Sequence, residues 1–206
     1  MHNNLFIPDA NFWDECWRTG LTGWDLGAPS PPLVDFFDTI NNKELHILIP
    51  GCGNAYEAEY LLRHGFKNIS VLDISFEAVK ILKNKFNDSA IKVIHEDFFQ
   101  HRGNYDLIIE QTFFCAIHPS MRKDYVRHAF DLLKENGRLC GLLFNCTFDN
   151  NFPPYGGSKE EYITLFSPYF IIKKMDITPL SVKPRLGKEL FIELEKRSWY
   201  EDKQDL

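Results

Sequence analysis

Leu45-His-Ile-Leu-Ile-Pro-Gly-Cys-Gly53 is a short apolar run that ends at Pro50-Gly51. A run of this length closed by a Pro-Gly turn reads as a buried strand entering a tight turn. Residues 55–64 then carry Ala58, Leu61 and Leu62 at helical spacing and stop near Gly65. A glycine-rich turn between strand and helix lets backbone approach a ligand closely and aims helix N–H groups at it. Gly51 and Gly53 supply that turn, although the third glycine of the dinucleotide pattern is missing, since Asn54, Ala55 and Tyr56 follow.

The same alternation continues toward the C-terminus. Strands are expected at 69–72, 91–94, 105–109, 139–144, 170–175 and 190–194. Helices are expected at 76–86, 121–133 (closed by Asn136-Gly137) and 159–166. Seven strands in the order βαβαβ, then βαβ, then a late pair predict an α/β fold: a doubly wound, mostly parallel sheet with helices on both faces. One domain over 1–206 is expected, with an arm at 1–44 before a core at 45–196. In such a sheet the ligand lies beyond the carboxyl ends of the strands. Attention therefore falls on Asp73 after the second strand and on Glu96-Asp97-Phe98-Phe99 after the third. A carboxylate about 20 residues past the glycine turn can accept both hydroxyls of a ribose. As an alternative, Asp73 caps the next helix. An acid followed by an aromatic can bond an adenine amino group while the ring packs on its face. These elements fit the nucleoside of S-adenosylmethionine as well as that of NAD. The missing glycine and the lack of room for a separate substrate domain favour the former.

The arm is unusual. Three of the four tryptophans, Trp13, Trp17 and Trp24, precede the first strand. If Asn11 caps a short helix, Trp13 and Trp17 share one face of it. Trp24 sits among Gly20, Gly23, Gly27, Pro29, Pro31 and Pro32, a run that reads as turns. Two readings stand at this level: aromatics that glue the arm to the domain, or a cover over a ligand, including a cationic one.

The formal net charge of -6 with no basic stripe argues against a nucleic-acid partner. No stretch approaches the roughly 20 apolar residues of a membrane helix, and Met1-His-Asn-Asn lacks the basic region of a signal peptide. The five cysteines include no C-x-x-C pair, and the seven histidines are dispersed, so neither a disulfide framework nor a metal is expected. A cytoplasmic monomer acting on a small molecule is the expectation.

From about Phe12 to Lys196 the chain resembles the thiopurine/thiol methyltransferase family, especially its thiocyanate, thiol and halide branch. The matching stretches are Trp13-x-x-x-Trp17 with Thr22-Gly-Trp-Asp-x-Gly27, Ile49-Pro-Gly-Cys-Gly53, Leu72-Asp-Ile-Ser75, Glu96-Asp-Phe-Phe99, Phe114-Cys-Ala-Ile117 with Pro119 and Met121-Arg122, Pro153-Pro-Tyr155, and Arg185-x-Gly-Lys-Glu189. The resemblance implies a Rossmann-like class I methyltransferase that uses S-adenosylmethionine, with a late antiparallel strand and an N-terminal helical lid. It implies that Trp13, Trp17 and Trp24 cover the cofactor and that Gly51 meets its amino-acid part. Asp73 would hold the ribose, Asp97 and Phe98 flank the adenine, and Glu110 stand near the methionine end. Tyr155 would lie beside the nucleophile as the catalytic residue. The implied reaction is in-line methyl transfer to a thiol, bisulfide, thiocyanate or halide. Alternatives are a thiopurine or aromatic thiol acceptor, or a SAM-binding module without catalysis. Departures such as Glu110-Gln111 and Asn145-Cys-Thr-Phe148 fall next to the acceptor end. Phe36, Phe113, Phe114 and Tyr155 are the expected pocket, each phenylalanine with core packing as an equal alternative. His118 and Cys115 are read as loop and packing residues. Arg185 and Lys188 either anchor an anion or cap their loop.

Overall fold

The computed structural model describes residues 6–198. The segments 1–5 and 199–206, including the ends of the expected domain and the fourth tryptophan, lie outside the described residues. Seven strands form one sheet in the order β3-β2-β1-β4-β5-β7-β6. In chain order they are β1 (His46–Pro50), β2 (Asn68–Asp73), β3 (Lys92–His95), β4 (Tyr105–Gln111), β5 (Leu133–Phe144), β6 (Phe170–Ile177) and β7 (Glu189–Lys196). The first five pair in parallel, and β7 runs antiparallel between β5 and β6. The order of strands reverses between β1 and β4, which leaves a crevice at their carboxyl ends.

Period-two alternation explains why the central strands are apolar throughout. Leu48, Leu72, Ile108, Leu139 and Leu143 point into one buried cluster. Their neighbours Ile47, Ile49, Val71, Leu107, Ile109, Cys140 and Leu142 point into the other. A strand covered on both faces has no polar side to show. The covering helices are α1 (Ala10–Thr19), α2 (Pro31–Asp38), α3 (Tyr56–Arg63), α4 (Phe76–Lys85), α5 (Arg122–Leu132) and α6 (Lys159–Phe166).

Three local expectations are corrected. Asp9, not Asn11, caps α1, its carboxylate accepting the Phe12 amide at 2.9 Å. Helix α2 occupies a stretch read as turns. Pro31 and Pro32 fall in its first turn, where proline's missing N–H costs nothing. Helix α5 stops at Leu132, because Leu133 pairs beside Tyr105 at the start of β5. Asn136-Gly137 therefore lies inside that strand, with Asn136 at φ 60°. Among the described residues no helix is long and apolar enough to cross a membrane.

Candidate active site

A cavity of about 840 Å³ opens over the carboxyl ends of the strands. Its floor is the turn after β1, where Gly51 and Gly53 adopt φ 54° and 53°. Gly51 has no room for a side chain, since a Cβ there would lie 2.4 Å from the Phe113 ring. Gly53 faces the arm instead, with Trp17 and Trp24 each 3.8 Å from the place a Cβ would occupy.

Asp73 ends β2 and reaches back under this turn. One of its oxygens accepts the Gly53 amide at 3.1 Å and the other the Ser75 amide at 2.9 Å. The helix cap is Ser75, whose hydroxyl accepts the Ala78 amide, so Asp73 does not serve as the cap. Burial raises the Asp73 carboxyl above its usual value, countered by the Ser75 and Gly53 amides. Each oxygen has used one acceptor position of two and can take another donor from the cavity. Asp97 and Phe98 also line the cavity. Asp97 accepts the Phe99 amide at 3.0 Å, and Phe98 is held from behind by Tyr125, ring to ring at 5.3 Å.

Trp13, Trp17 and Trp24 form the opposite wall. Trp24 meets both other indoles edge-on, at 5.5 and 6.1 Å between centroids. No residue of α1 is fully buried. Trp13, Trp17 and Trp24 are each half-buried rather than sunk in the core. The arm is pinned at its edges. Asp14 accepts the Ser75 hydroxyl at 2.6 Å and the Glu77 amide at 3.2 Å. Asp25 accepts from Asn54 and Tyr56 beside the glycine turn, and Arg185 donates to the Trp24 carbonyl at 3.0 Å.

Glu110 does not line the cavity or its side chamber. It is fully buried within β4, with one oxygen taking the Phe113 and Phe114 amides and the other the Tyr125 hydroxyl. Successive side chains of a strand point to opposite sides, and it is the next residue, Gln111, that faces outward. Gln111 lines a side chamber of about 40 Å³ shared with Gly51, Gly53 and Thr112. Its Oε1 is buried and accepts no hydrogen bond. Thr112 holds φ 61°, a left-handed conformation costly for a β-branched residue.

The far end of the cavity is built by the loops after β4 and β5, with Phe113, Ile117, Met121, Phe148, Phe152 and Pro153 among its walls. Of the expected pocket only Phe113 lines it. Phe36 packs on Phe37 and Phe191 in one core cluster, and Phe114 packs on Tyr125, Tyr162 and Phe166 in the other. Tyr155 is not among the lining residues, although its chain neighbours Pro153 and Pro154 are. Its amide donates to the Cys115 carbonyl at 2.7 Å, and its ring meets His118 edge-on at 5.4 Å. Its hydroxyl is buried and has no hydrogen-bond partner. Burial pushes the Cys115 thiol up to about 12, which leaves it inert as a nucleophile. His118 caps the 3-10 turn at Pro119–Met121 through Ser120. Arg185 donates to the Trp24 carbonyl and to buried Glu189, and both it and Lys188 line the cavity. No cluster of residues suited to hold a metal occurs among the described residues.

Sequence reasoning missed the roles of Asp14 and Asp25, whose partners Ser75 and Asn54 are 61 and 29 residues away, and the tie from Arg185 to Trp24, 161 residues away. The residues present fit S-adenosylmethionine. The cradle at Gly51 excludes a Cβ, a buried carboxylate with spare acceptor positions stands beside it, an aromatic wall faces both, and an unsatisfied amide oxygen opens on the side chamber.

The sequence profile described as Thiopurine S-methyltransferase (TPMT) matches residues 8–202. A probable thiol methyltransferase 2 of Arabidopsis thaliana is 33% identical, over 97% of this chain and 91% of that one. Thiocyanate methyltransferase 1 of Brassica oleracea is 31% identical, over 89% and 85%. A thiopurine S-methyltransferase of Aliivibrio salmonicida is 26% identical, over 88% and 94%. Among solved structures, a Burkholderia thailandensis 1,6-didemethyltoxoflavin-N1-methyltransferase with bound S-adenosylhomocysteine superposes with a TM-score of 0.74 at 15% identity, covering 92% of this chain and 87% of that one. The chain belongs to the thiopurine S-methyltransferase family and is an S-adenosylmethionine-dependent methyltransferase.

Proposed function

We propose that the methyl acceptor is a small soft nucleophile: a thiolate, bisulfide, thiocyanate or halide. The observation that carries this reading is the apolar far end of the cavity, with one buried, unpartnered hydroxyl, that of Tyr155, on a residue in contact with the lining residues Cys115 and His118. The higher identity to the thiocyanate and thiol methyltransferases than to the bacterial thiopurine enzyme supports it.

Bound S-adenosylmethionine supplies a methyl group already activated on a sulfonium. What remains for the chain is to hold donor and acceptor in line at near-attack distance and to exclude water. A soft anion needs no strong base, and even a thiol of pKa about 8.5 is a few per cent thiolate at neutral pH. We assign Trp13, Trp17 and Trp24 to the cover, Gly51 to close backbone approach, Asp73 to the ribose, and Asp97 with Phe98 to the adenine. The methionine end falls to Gln111 in place of Glu110. An unsatisfied buried hydroxyl costs about 1–3 kcal/mol, and Tyr155 recovers it by donating to the acceptor anion when the Pro153-Pro154 loop shifts to bring its hydroxyl into the cavity. The five unpaired thiols suit the reducing cytoplasm, where we place the protein as a monomer acting on a small molecule.

The volume of the cavity supports a second reading, a bulky aromatic thiol or thiopurine acceptor, because about 840 Å³ must be shared between donor and acceptor. A cofactor-dependent assay across iodide, thiocyanate, bisulfide, thiophenol and a thiopurine separates the two. Reading S-adenosylhomocysteine and methylated product together, we expect the highest kcat/KM on the small anions. Turnover confined to thiophenol or the thiopurine would overturn the small-anion reading.

A further inference from the structure

The tryptophan wall is an arm laid over the sheet, and something must hold it in register with the cofactor pocket. Helix α1 buries no residue completely, so burial of apolar surface gives it a weak hold. Trp13 and Trp17 face the cavity, while Asp14, between them in sequence, faces the start of α4. There its carboxylate accepts the Ser75 hydroxyl at 2.6 Å and the Glu77 amide at 3.2 Å. Ser75 is fully buried, and its hydroxyl and amide together make three hydrogen bonds. Its hydroxyl donates to Asp14 and accepts the Ala78 amide, and its own amide donates to Asp73 at 2.9 Å. The acid assigned to the ribose and the helix that covers the cofactor thus grip one residue from opposite sides.

We propose that Asp14 is a positioning residue: through Ser75 it seats the tryptophan cover over the cofactor pocket and ties that seating to Asp73. The bond is charge-assisted and lies at a helix N-terminus, where a carboxylate is favoured. Burial alone would raise the Asp14 carboxyl; the Ser75 hydroxyl, the Glu77 and Phe76 amides and the Arg18 charge outweigh it and hold the pKa below its usual value. The Arg18–Glu77 pair, at 3.7 Å, adds a second contact between the same two helices, but both side chains are substantially exposed and it contributes little. The proposal rests on the cavity being the S-adenosylmethionine site, and its test separates the two ideas.

In a Trp199→Phe background, emission comes from Trp13, Trp17 and Trp24. Asp14→Ala is expected to raise acrylamide quenching of that emission in the ligand-free protein. It should also speed trypsin cleavage at Arg18, the sole basic residue between Phe6 and Asn42. The Kd for S-adenosylmethionine should rise by about tenfold, the equivalent of one hydrogen bond to a charged group. Ser75→Ala should do the same. Trp17→Ala added to Asp14→Ala should cost little further affinity, because an unseated cover no longer brings its indole to the ligand. A residue that only supported the fold would lower the melting temperature and add to Trp17→Ala independently. Unchanged quenching and cleavage, or additive losses of affinity, would overturn the proposal. A wild-type protein that fails to bind S-adenosylmethionine would instead sink the cofactor reading, with the quenching result still deciding the role of Asp14.

Discussion

Gly51→Ala and Gly53→Ala form a matched pair that measures the cradle beneath the cofactor. Both glycines hold a left-handed backbone, at φ 54° and 53°. Alanine in that region costs about 1–2 kcal/mol. Part of this is returned, about 0.4–1 kcal/mol, because alanine restricts the unfolded chain. The two positions differ in what the new methyl meets. At Gly53 its nearest neighbours are indole atoms at 3.8 Å, an ordinary contact. At Gly51 it would lie 2.4, 2.8 and 3.0 Å from three atoms of Phe113, so that side chain must move. Forced repacking of this kind costs about 1–3 kcal/mol. Phe113 is fixed from behind by Phe98 and Tyr125, so its open direction is the cavity. Gly51→Ala is therefore expected to be less stable than Gly53→Ala by about 1–3 kcal/mol, or roughly 2–12 °C in melting temperature for a chain of this size. It should also lose more affinity for S-adenosylmethionine, because the displaced ring occupies the pocket. Calorimetric unfolding and titration with the cofactor read both quantities. Equal stability and equal affinity for the two variants would mean that Phe113 makes room for the methyl at no cost, since the backbone cost is common to both.

Three further outcomes follow from the same geometry. Burial raises the Glu110 carboxyl from 4.5 to about 7, against the Tyr125 hydroxyl and the Phe114 and Phe113 amides that favour its charged form. A folded-state pKa above the unfolded value gives stability that is full below about pH 4.5 and is lost as the pH rises through about 7; Glu110→Gln should flatten that decline in a melting series from pH 4.5 to 8, and a decline that persists unchanged assigns it to another group. Tyr155→Phe should lower turnover on thiocyanate and iodide while the Kd for S-adenosylmethionine stays within about twofold, less than the worth of one hydrogen bond; a large loss of cofactor binding would place Tyr155 at the wrong end of the cavity. Arg185→Met strands nearly buried Glu189 without its cation and releases the Trp24 carbonyl. Urea unfolding should register a loss of about 3–5 kcal/mol, most of it recovered when Glu189→Gln is added, and additivity of the two substitutions would argue that the pair is not coupled.

The parts of the site legible in the sequence are those that local chain geometry dictates. Gly51, Asp73 and Asp97-Phe98 each stand at a strand's carboxyl end, and strand ends can be read from apolar runs. All of them line the cavity. Legibility failed where one residue of phase decides the side. Glu110 and Gln111 are neighbours on β4, and alternation sends the acid into the core and the amide to the chamber. It failed again where a residue's role lies in a distant partner. Asp14 and Asp25 look like solvated acids of an arm until the fold brings Ser75, Asn54 and Tyr56 to them. Proline misled in the arm, since Pro31 and Pro32 begin α2 where they seemed to forbid a helix. The eighteen phenylalanines carried little positional information by themselves. Phe36 and Phe114 sit in opposite core clusters, and only their packing neighbours distinguish them from Phe113.

The bond from Arg185 to the Trp24 carbonyl spans 161 residues and has a bearing on how the protein is made. Trp24 leaves the ribosome long before the turn at Lys183–Arg185 that holds it, at the roughly 5–20 residues per second typical of synthesis. During that interval the glycine turn, Asp73 and Asp97 can assemble with the early strands, but the aromatic wall lacks one of its ties. β7, which slots between β5 and β6, arrives just after that turn. Closure of the cofactor pocket is thereby deferred until the sheet can be completed, and a partly made chain keeps its nucleoside-binding edge open to solvent.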